Sequence, residues 1–207
     1  MASIDLVFSL DNFLSAVAPT INYDTIDALR VGEETGNSGF ISRSIIKPDF
    51  SSIPAGQVIT AATLKMTPTA DLSTNARTMY AHRILRTVVA GQSTWNVYST
   101  GNSWATAGCS DSTSDYDGAV VLGSAAQSAA PTINSALSFQ MTLNATEINK
   151  FYNGTYTNNG IILFVDTQLN DAIFYASTQH ANAAYRPVIS ATYEPAPTAG
   201  GGFFMFF

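Results

Sequence analysis

Apolar and polar residues alternate with a period of two along much of this chain, most plainly from Arg43 to Met66. Ile45 with Lys47, and Ala62 with Leu64 and Met66, follow the two-residue repeat of half-buried strands. Between them Ile53-Pro54-Ala55-Gly56 supplies the preset φ of proline and the permissive glycine of a turn. Ile4 to Leu10 alternates in the same way and predicts a first strand, with Ile4, Leu6 and Phe8 on one face. Ala18 to Asp24 reads as a loop, Ala28 to Val31 as a short strand stopped by Gly32, and Glu33 to Gly39 as a polar connection. Met79 to Val89 predicts another strand. From Ala90 to Pro131 the pattern lapses into a long irregular stretch that holds both tryptophans and Cys109. A loop of that length in a compact domain is structured or functional.

Asn144-Ala145-Thr146-Glu147 has the form of a helix N-cap with an acid at the third position. Ile148, Phe151 and Tyr152 then recur at helical spacing until Gly154, which predicts one short helix. Gly160 to Asp166, Ala172 to Ser177 and Pro187 to Tyr193 predict the remaining strands. About ten short strands, one helix and many turn signals make an all-β antiparallel sandwich the expected fold. The expected organisation is a sandwich over residues 1–193, a Pro- and Gly-rich linker over 194–202, and a hydrophobic docking peptide over 203–207.

Composition narrows the class. Only 12% of the 207 residues are charged, about half the usual share of roughly 25%, so exposed positions fall to hydroxyls and amides, as on extracellular sandwiches. The net charge of −6, with nine Lys and Arg spread singly, leaves no basic stripe for a phosphate backbone, and nucleic acid is not an expected partner. The single cysteine, Cys109, rules out an intrachain disulfide and is expected to be a free thiol. No apolar run approaches the roughly 18 residues of a membrane helix. Asp5 and Asp11 interrupt the first apolar segment before it reaches signal-peptide length, so a chain starting at Met1 is expected to stay in the cytosol until some other route carries it out.

Several collinear blocks resemble the DNRLRE domain family, also described as carbohydrate-binding module family 96, whose members are jelly-roll sandwiches on many extracellular and surface proteins. The blocks are Asn22-Tyr23 with Leu29-Arg30-Val31-Gly32, then Arg43 to Met66, then Thr94-Trp95-Asn96 with Gly101 and Trp104. They continue through Asn153-Gly154 and Asn158 to Leu163, and close on Arg186 to Tyr193. The resemblance implies an antiparallel jelly-roll β-sandwich. Asp24 stands where glycine normally follows the Asn-Tyr pair, and Pro48 interrupts a strand whose usual form is Lys-Phe-Asp. Because Pro48 cannot donate a ladder hydrogen bond, its strand is expected at an edge or bulged there.

Candidate chemistry is sparse. Trp95, Tyr98, Trp104 and Tyr116 fall in the long loop, where an exposed ring can stack on the apolar face of a sugar. The alternative, that both tryptophans pack under the loop and hold it on the sandwich, fits the usual burial of Trp better. Asp111, Asp115 and Asp117 offer carboxylates in one loop that suit calcium better than zinc, against the alternative of solvated loop acids. His82 and His180 sit in no nucleophile, metal or acid-base pattern, and no enzyme is expected. The Asn144 and Asn153 sequons carry meaning only with a eukaryotic secretory route.

Phe203-Phe204-Met205-Phe206-Phe207 remains. Left in water this segment exposes on the order of several hundred Å² of apolar surface, so docking in cis or in trans is expected. The sequence therefore favours a non-enzymatic structural protein of a virus particle, a bacteriophage head-decoration, fibre or tail-surface component. Its expected partners are other virion proteins and its own copies in a homo-oligomer. The rival expectations are an extracellular or cell-surface carbohydrate-binding module or adhesin that takes a glycan, and a subunit of a cellular surface layer or filament.

Overall fold

The alternating segments pair into antiparallel ladders in the computed structural model, which describes residues 1–34, 36, 39–166 and 170–197. The strands are β1 (Ala2–Leu6), β2 (Phe8–Ser15), β3 (Ala28–Glu33), β4 (Ile41–Pro48), β5 (Gln57–Met66), β6 (Pro68–Ser73) and β7 (Arg77–Ile84). They continue as β8 (Val97–Ser99), β9 (Asn102–Ser103), β10 (Tyr116–Gln127), β11 (Phe139–Leu143), β12 (Ile161–Val165), β13 (Asp171–Ala176) and β14 (Val188–Pro195). One α-helix, α1 (Ala145–Tyr152), joins them among the described residues. Twelve strands form one strongly curled sheet in the order β1-β14-β5-β11-β10-β7-β12-β4-β3-β13-β6, with β2 beside β4, while β8 and β9 pair apart. The curl brings its two halves face to face. Tyr175 of β13 meets Phe139 of β11 edge-on at 5.4 Å across the core, although these strands are far apart in the sheet order. The architecture is an all-β antiparallel jelly-roll sandwich with one short helix.

The core forms where inward positions of nearly every strand converge, among them Leu6, Val31, Ile46, Leu64, Met79, Met141, Leu163, Ile173 and Ile189. Ala62, Leu64 and Met66 point inward together, as their spacing predicts. Ile4, Leu6 and Phe8 also share the core side, but their predicted single strand divides at Val7. β1 pairs with β14 and β2 with β4, so the chain passes there from one half of the sandwich to the other. The Ile53–Gly56 turn likewise joins strands of opposite halves: β4 lies beside β12 and β2, and β5 between β14 and β11. Ile53 is buried beneath this arch, and Gly56 takes a φ of +77°.

Several sequence expectations need correction. Gly32 does not stop β3, which continues to Glu33 with Gly32 at a φ of +108°. β4 is not an edge strand, because it has partners on both sides. The predicted irregularity at Pro48 is carried by the β2 ladder, whose register shifts between Phe8 and Leu10. The strand that Ile45 and Lys47 predict as half-buried is covered on both faces at its centre. Ile45 and Ile46 are both buried, on opposite faces of a strand covered on both sides. The stretch from Ala90 to Pro131 is not irregular throughout, since it contains β8, β9 and the twelve-residue β10.

Helix α1 forms where its capping signal predicts. Asn144 Oδ1 accepts hydrogen bonds from the Thr146 and Glu147 amides, and Ile148 and Phe151 are buried on the helix's inner face. Glu147 does not reach back to the cap. Its carboxylate accepts from Lys150 Nζ at 2.8 Å and from the Tyr156 hydroxyl at 2.7 Å. Tyr152 donates its hydroxyl to the Pro54 carbonyl at 2.6 Å, tying the helix to the arch.

Candidate functional site

The long connection after β7 covers the outer face of β2, β4, β7 and β12. Val88, Trp104 and Cys109 from this cover pack on Leu10, Leu14, Ile45, Ile84 and Ile162, forming a second apolar cluster on the far side of the sheet from the main core. Side-chain amides pin it down. Asn12 Nδ2 donates to the carbonyl and hydroxyl of Ser93, both at 2.9 Å, and Asn22 Nδ2 donates to the same carbonyl at 2.7 Å. The next residue, Tyr23, stacks on Phe13 at 4.2 Å, and Asp24 accepts from the Gly91 amide at 2.6 Å.

The tryptophans belong to this cover. Trp104 is buried, donates Nε1–H to the Thr94 carbonyl at 2.9 Å, and meets Tyr98 edge-on at 5.5 Å. Trp95 lies flat against the backbone of Gly108, where an added Cβ would come within 2.6 Å of the indole. Trp104 is therefore not the exposed sugar platform that the loop composition suggests, because the sheet face below needs its ring to keep water out.

The three loop carboxylates face three different ways. Asp111 accepts from the amides of Thr113 and Ser114 and from the Thr113 hydroxyl, and these hydrogen bonds hold its carboxyl below the usual range. Asp115 is fully buried rather than a solvated loop acid. It accepts from the amides of Ala105, Thr106 and Asp111, with Arg86 Nε 3.6 Å away. Asp117 Oδ2 receives Nε and Nη2 of Arg83 at 2.9 and 2.8 Å, while Oδ1 accepts from the Ala119 amide. Among the described residues no group of three or more such side chains could hold a metal ion, so the predicted calcium ligands are not brought together.

Where the cover ends, an open groove of about 550 Å³ remains on the same outer face. Strand periodicity builds its floor. Tyr80 and His82, two apart on β7, point outward together, and Phe164 of β12 stands directly opposite Tyr80 in the ladder. The register of β10 against β7 shifts between Tyr116 and Val121 and again before Gly123, so residues 117–120 bow out of the ladder as a wall. Ser112 and Thr113 continue the wall. Gly118 is required at their junction, because a Cβ there would lie 2.7 Å from Ser112 Cβ.

The rings interlock. His82 stacks on Phe164 at 5.5 Å, Tyr116 meets His82 edge-on at 5.1 Å and tilts onto Phe164 at 5.4 Å, and the Arg43 guanidinium lies 5.0 Å from the Phe164 centroid. His82 Nδ1–H donates to the Asp117 carbonyl oxygen at 2.8 Å, which fixes the ring. Burial raises the Tyr116 phenol above its ordinary pKa, keeping it neutral. Of the predicted sugar-stacking residues, only Tyr116 lines the groove, with Asp117 from the carboxylate set. Tyr80 and Phe164 were missed, and His82 was weighed only as a catalytic group, because the three come together from strands remote in sequence.

His180 lies elsewhere and stacks on Tyr185 at 5.3 Å. Phe203 to Phe207 lie outside the described residues. Among the described residues no helix is long and apolar enough to cross a membrane. No protein-family model matches the chain, and no curated protein matches it.

Proposed function

We propose that the protein is a non-enzymatic structural protein of a virus particle, a bacteriophage head-decoration, fibre or tail-surface component. The segment Phe203-Phe204-Met205-Phe206-Phe207 holds it in the assembly. The observation that carries this reading is the division of the chain into a sandwich with a filled core of its own and, beyond Pro195, a Pro- and Gly-rich tether bearing five large apolar residues. The tether leaves beside the arch, where the Ala196 amide donates to the Gly56 carbonyl at 2.9 Å. At about 25 cal/mol per Å², sheltering the five side chains on another subunit contributes several kcal/mol. The resemblance to the DNRLRE family belongs to the same proposal, and its quoted residues Asn22, Tyr23, Trp95 and Trp104 support it as framework positions that pack or tie down the cover.

Truncation after Gly202 tests the reading. The shortened chain is expected to fold with an unchanged melting temperature but to lose incorporation into particles and self-association in light scattering. Unchanged incorporation and oligomeric state would overturn it.

The open aromatic groove favours a second reading, a carbohydrate-binding module or adhesin domain of an extracellular or cell-surface protein. In that reading the jelly roll presents the groove to a glycan.

A further inference from the structure

We propose that the groove between β7, β12 and the bowed-out wall of β10 is a binding site for an uncharged glycan, with Tyr80, Tyr116 and Phe164 as the stacking surface. The inference rests on the glycan-recognition reading and adds to it the site and the ligand class. Tyr80, Tyr116 and Phe164 are each only half-buried, and Val121 beside them is 44% exposed, so apolar ring surface faces water at the floor. A pyranose presents one face of axial C–H groups to such a surface and directs its hydroxyls to the sides. The sides here carry the hydroxyls of Ser112 and Thr113 and the carboxylate of Asp166. An apolar floor with a few polar groups at its margin, in a volume of about 550 Å³, falls within the roughly 300–1,000 Å³ of small-molecule sites.

Charge selects among ligands of that shape. The Asp117 carboxylate is paired with Arg83 at 2.8 Å, and the two acids of the lining, Asp117 and Asp166, set the groove against anionic ligands. Among the described residues no Lys or Arg lines the groove to meet a uronate, sulfate or phosphate group. A neutral polyhydroxylated chain satisfies both conditions. The groove is open rather than enclosed, which leaves room for a sugar that is part of a longer chain. Its rings are already locked by Arg43, by the His82 contact to the Asp117 carbonyl and by one another, so binding orders few side chains.

The full chain should be titrated by calorimetry with neutral gluco-, manno-, galacto- and xylo-oligosaccharides and with uronate oligosaccharides. At least one neutral series is expected to bind, and Tyr80→Ala should weaken it about tenfold or more, the loss of one stacking ring. Ala119→Trp fills the groove from an exposed position without removing a core group, and should abolish binding at an unchanged melting temperature. Ser128→Trp, on a separate surface hollow, should leave binding intact. Neutral binding undisturbed by Ala119→Trp would overturn the assignment of the site. Binding of uronates alone, blocked by Ala119→Trp, would overturn the ligand class while glycan recognition stands. No binding of any oligosaccharide at millimolar concentration would overturn both.

Discussion

Gly32 shows how one residue can fix a strand junction. Its φ of +108° belongs to glycine, and a Cβ there would lie 2.6 Å from Asp171 Oδ1 and 2.7 Å from the Asp171 carbonyl oxygen. The same carboxylate accepts from the Glu33 amide at 2.8 Å and lies 3.4 Å from Arg77 Nε. Gly32→Ala therefore combines backbone strain with the displacement of a buried charge, and is expected to cost about 2–4 kcal/mol. Urea unfolding checks this. Gly36 has a positive φ of +76° but open space around it, so Gly36→Ala pays strain alone, about 1 kcal/mol, and serves as the comparison.

Helix α1 owes its place to a cap, a buried face and one cluster of polar groups. Lys150 and Tyr156 hydrogen-bond the Glu147 carboxylate and hold its pKa below the ordinary 4.5. The folded protein thus binds that proton less readily than the unfolded chain. The stabilisation is fully present above pH 4.5 and is lost as pH falls through the lower folded value. Glu147→Gln is expected to cost about 1 kcal/mol at neutral pH, since the group is partly solvated. The difference from wild type should close as the solution is acidified below pH 4.5. Melting temperatures of both proteins across that range measure it. A gap that persists in strong acid would mean the contribution is packing, not charge.

Two apolar layers, one inside the sandwich and one under the cover, organise the whole molecule. Asp115 is the keystone of the second layer, because its buried carboxylate satisfies three cover amides and the Leu85 amide donates to its carbonyl at 2.8 Å. Cys109 reports on that layer. It is buried at a φ of +55°, and burial, with Asp115 nearby, pushes its thiol well above the usual range. A thiol reagent should modify native Cys109 only when the cover opens. Asp115→Asn, which leaves buried donors short of an acceptor, should favour opening by about 2 kcal/mol, or roughly thirtyfold in labelling rate. Circular dichroism should show the main sheet intact. Labelling of wild type at the rate of an exposed thiol would contradict the two-layer account.

Local patterns alone determined the fold class, the succession of two strands around a proline-glycine turn, and the helix behind Asn144, because each rests on residues within one turn or one strand of each other; that the two strands pair with other partners in opposite halves was not among them. β10 was not legible. Half of its residues from Tyr116 to Gln127 are Gly, Ala or Ser, and Leu122 is its one fully buried large apolar side chain, so no strong period appears. The double burial of Ile45 and Ile162 and the inward turn of Asp115 were hidden for a related reason, since both follow from a cover whose partners lie far away in sequence. Only the tertiary structure decided which aromatics face water. Trp104 is enclosed because a sheet face needed covering, while Tyr80, Tyr116 and Phe164 line the groove because three remote strands bring them together where that cover stops.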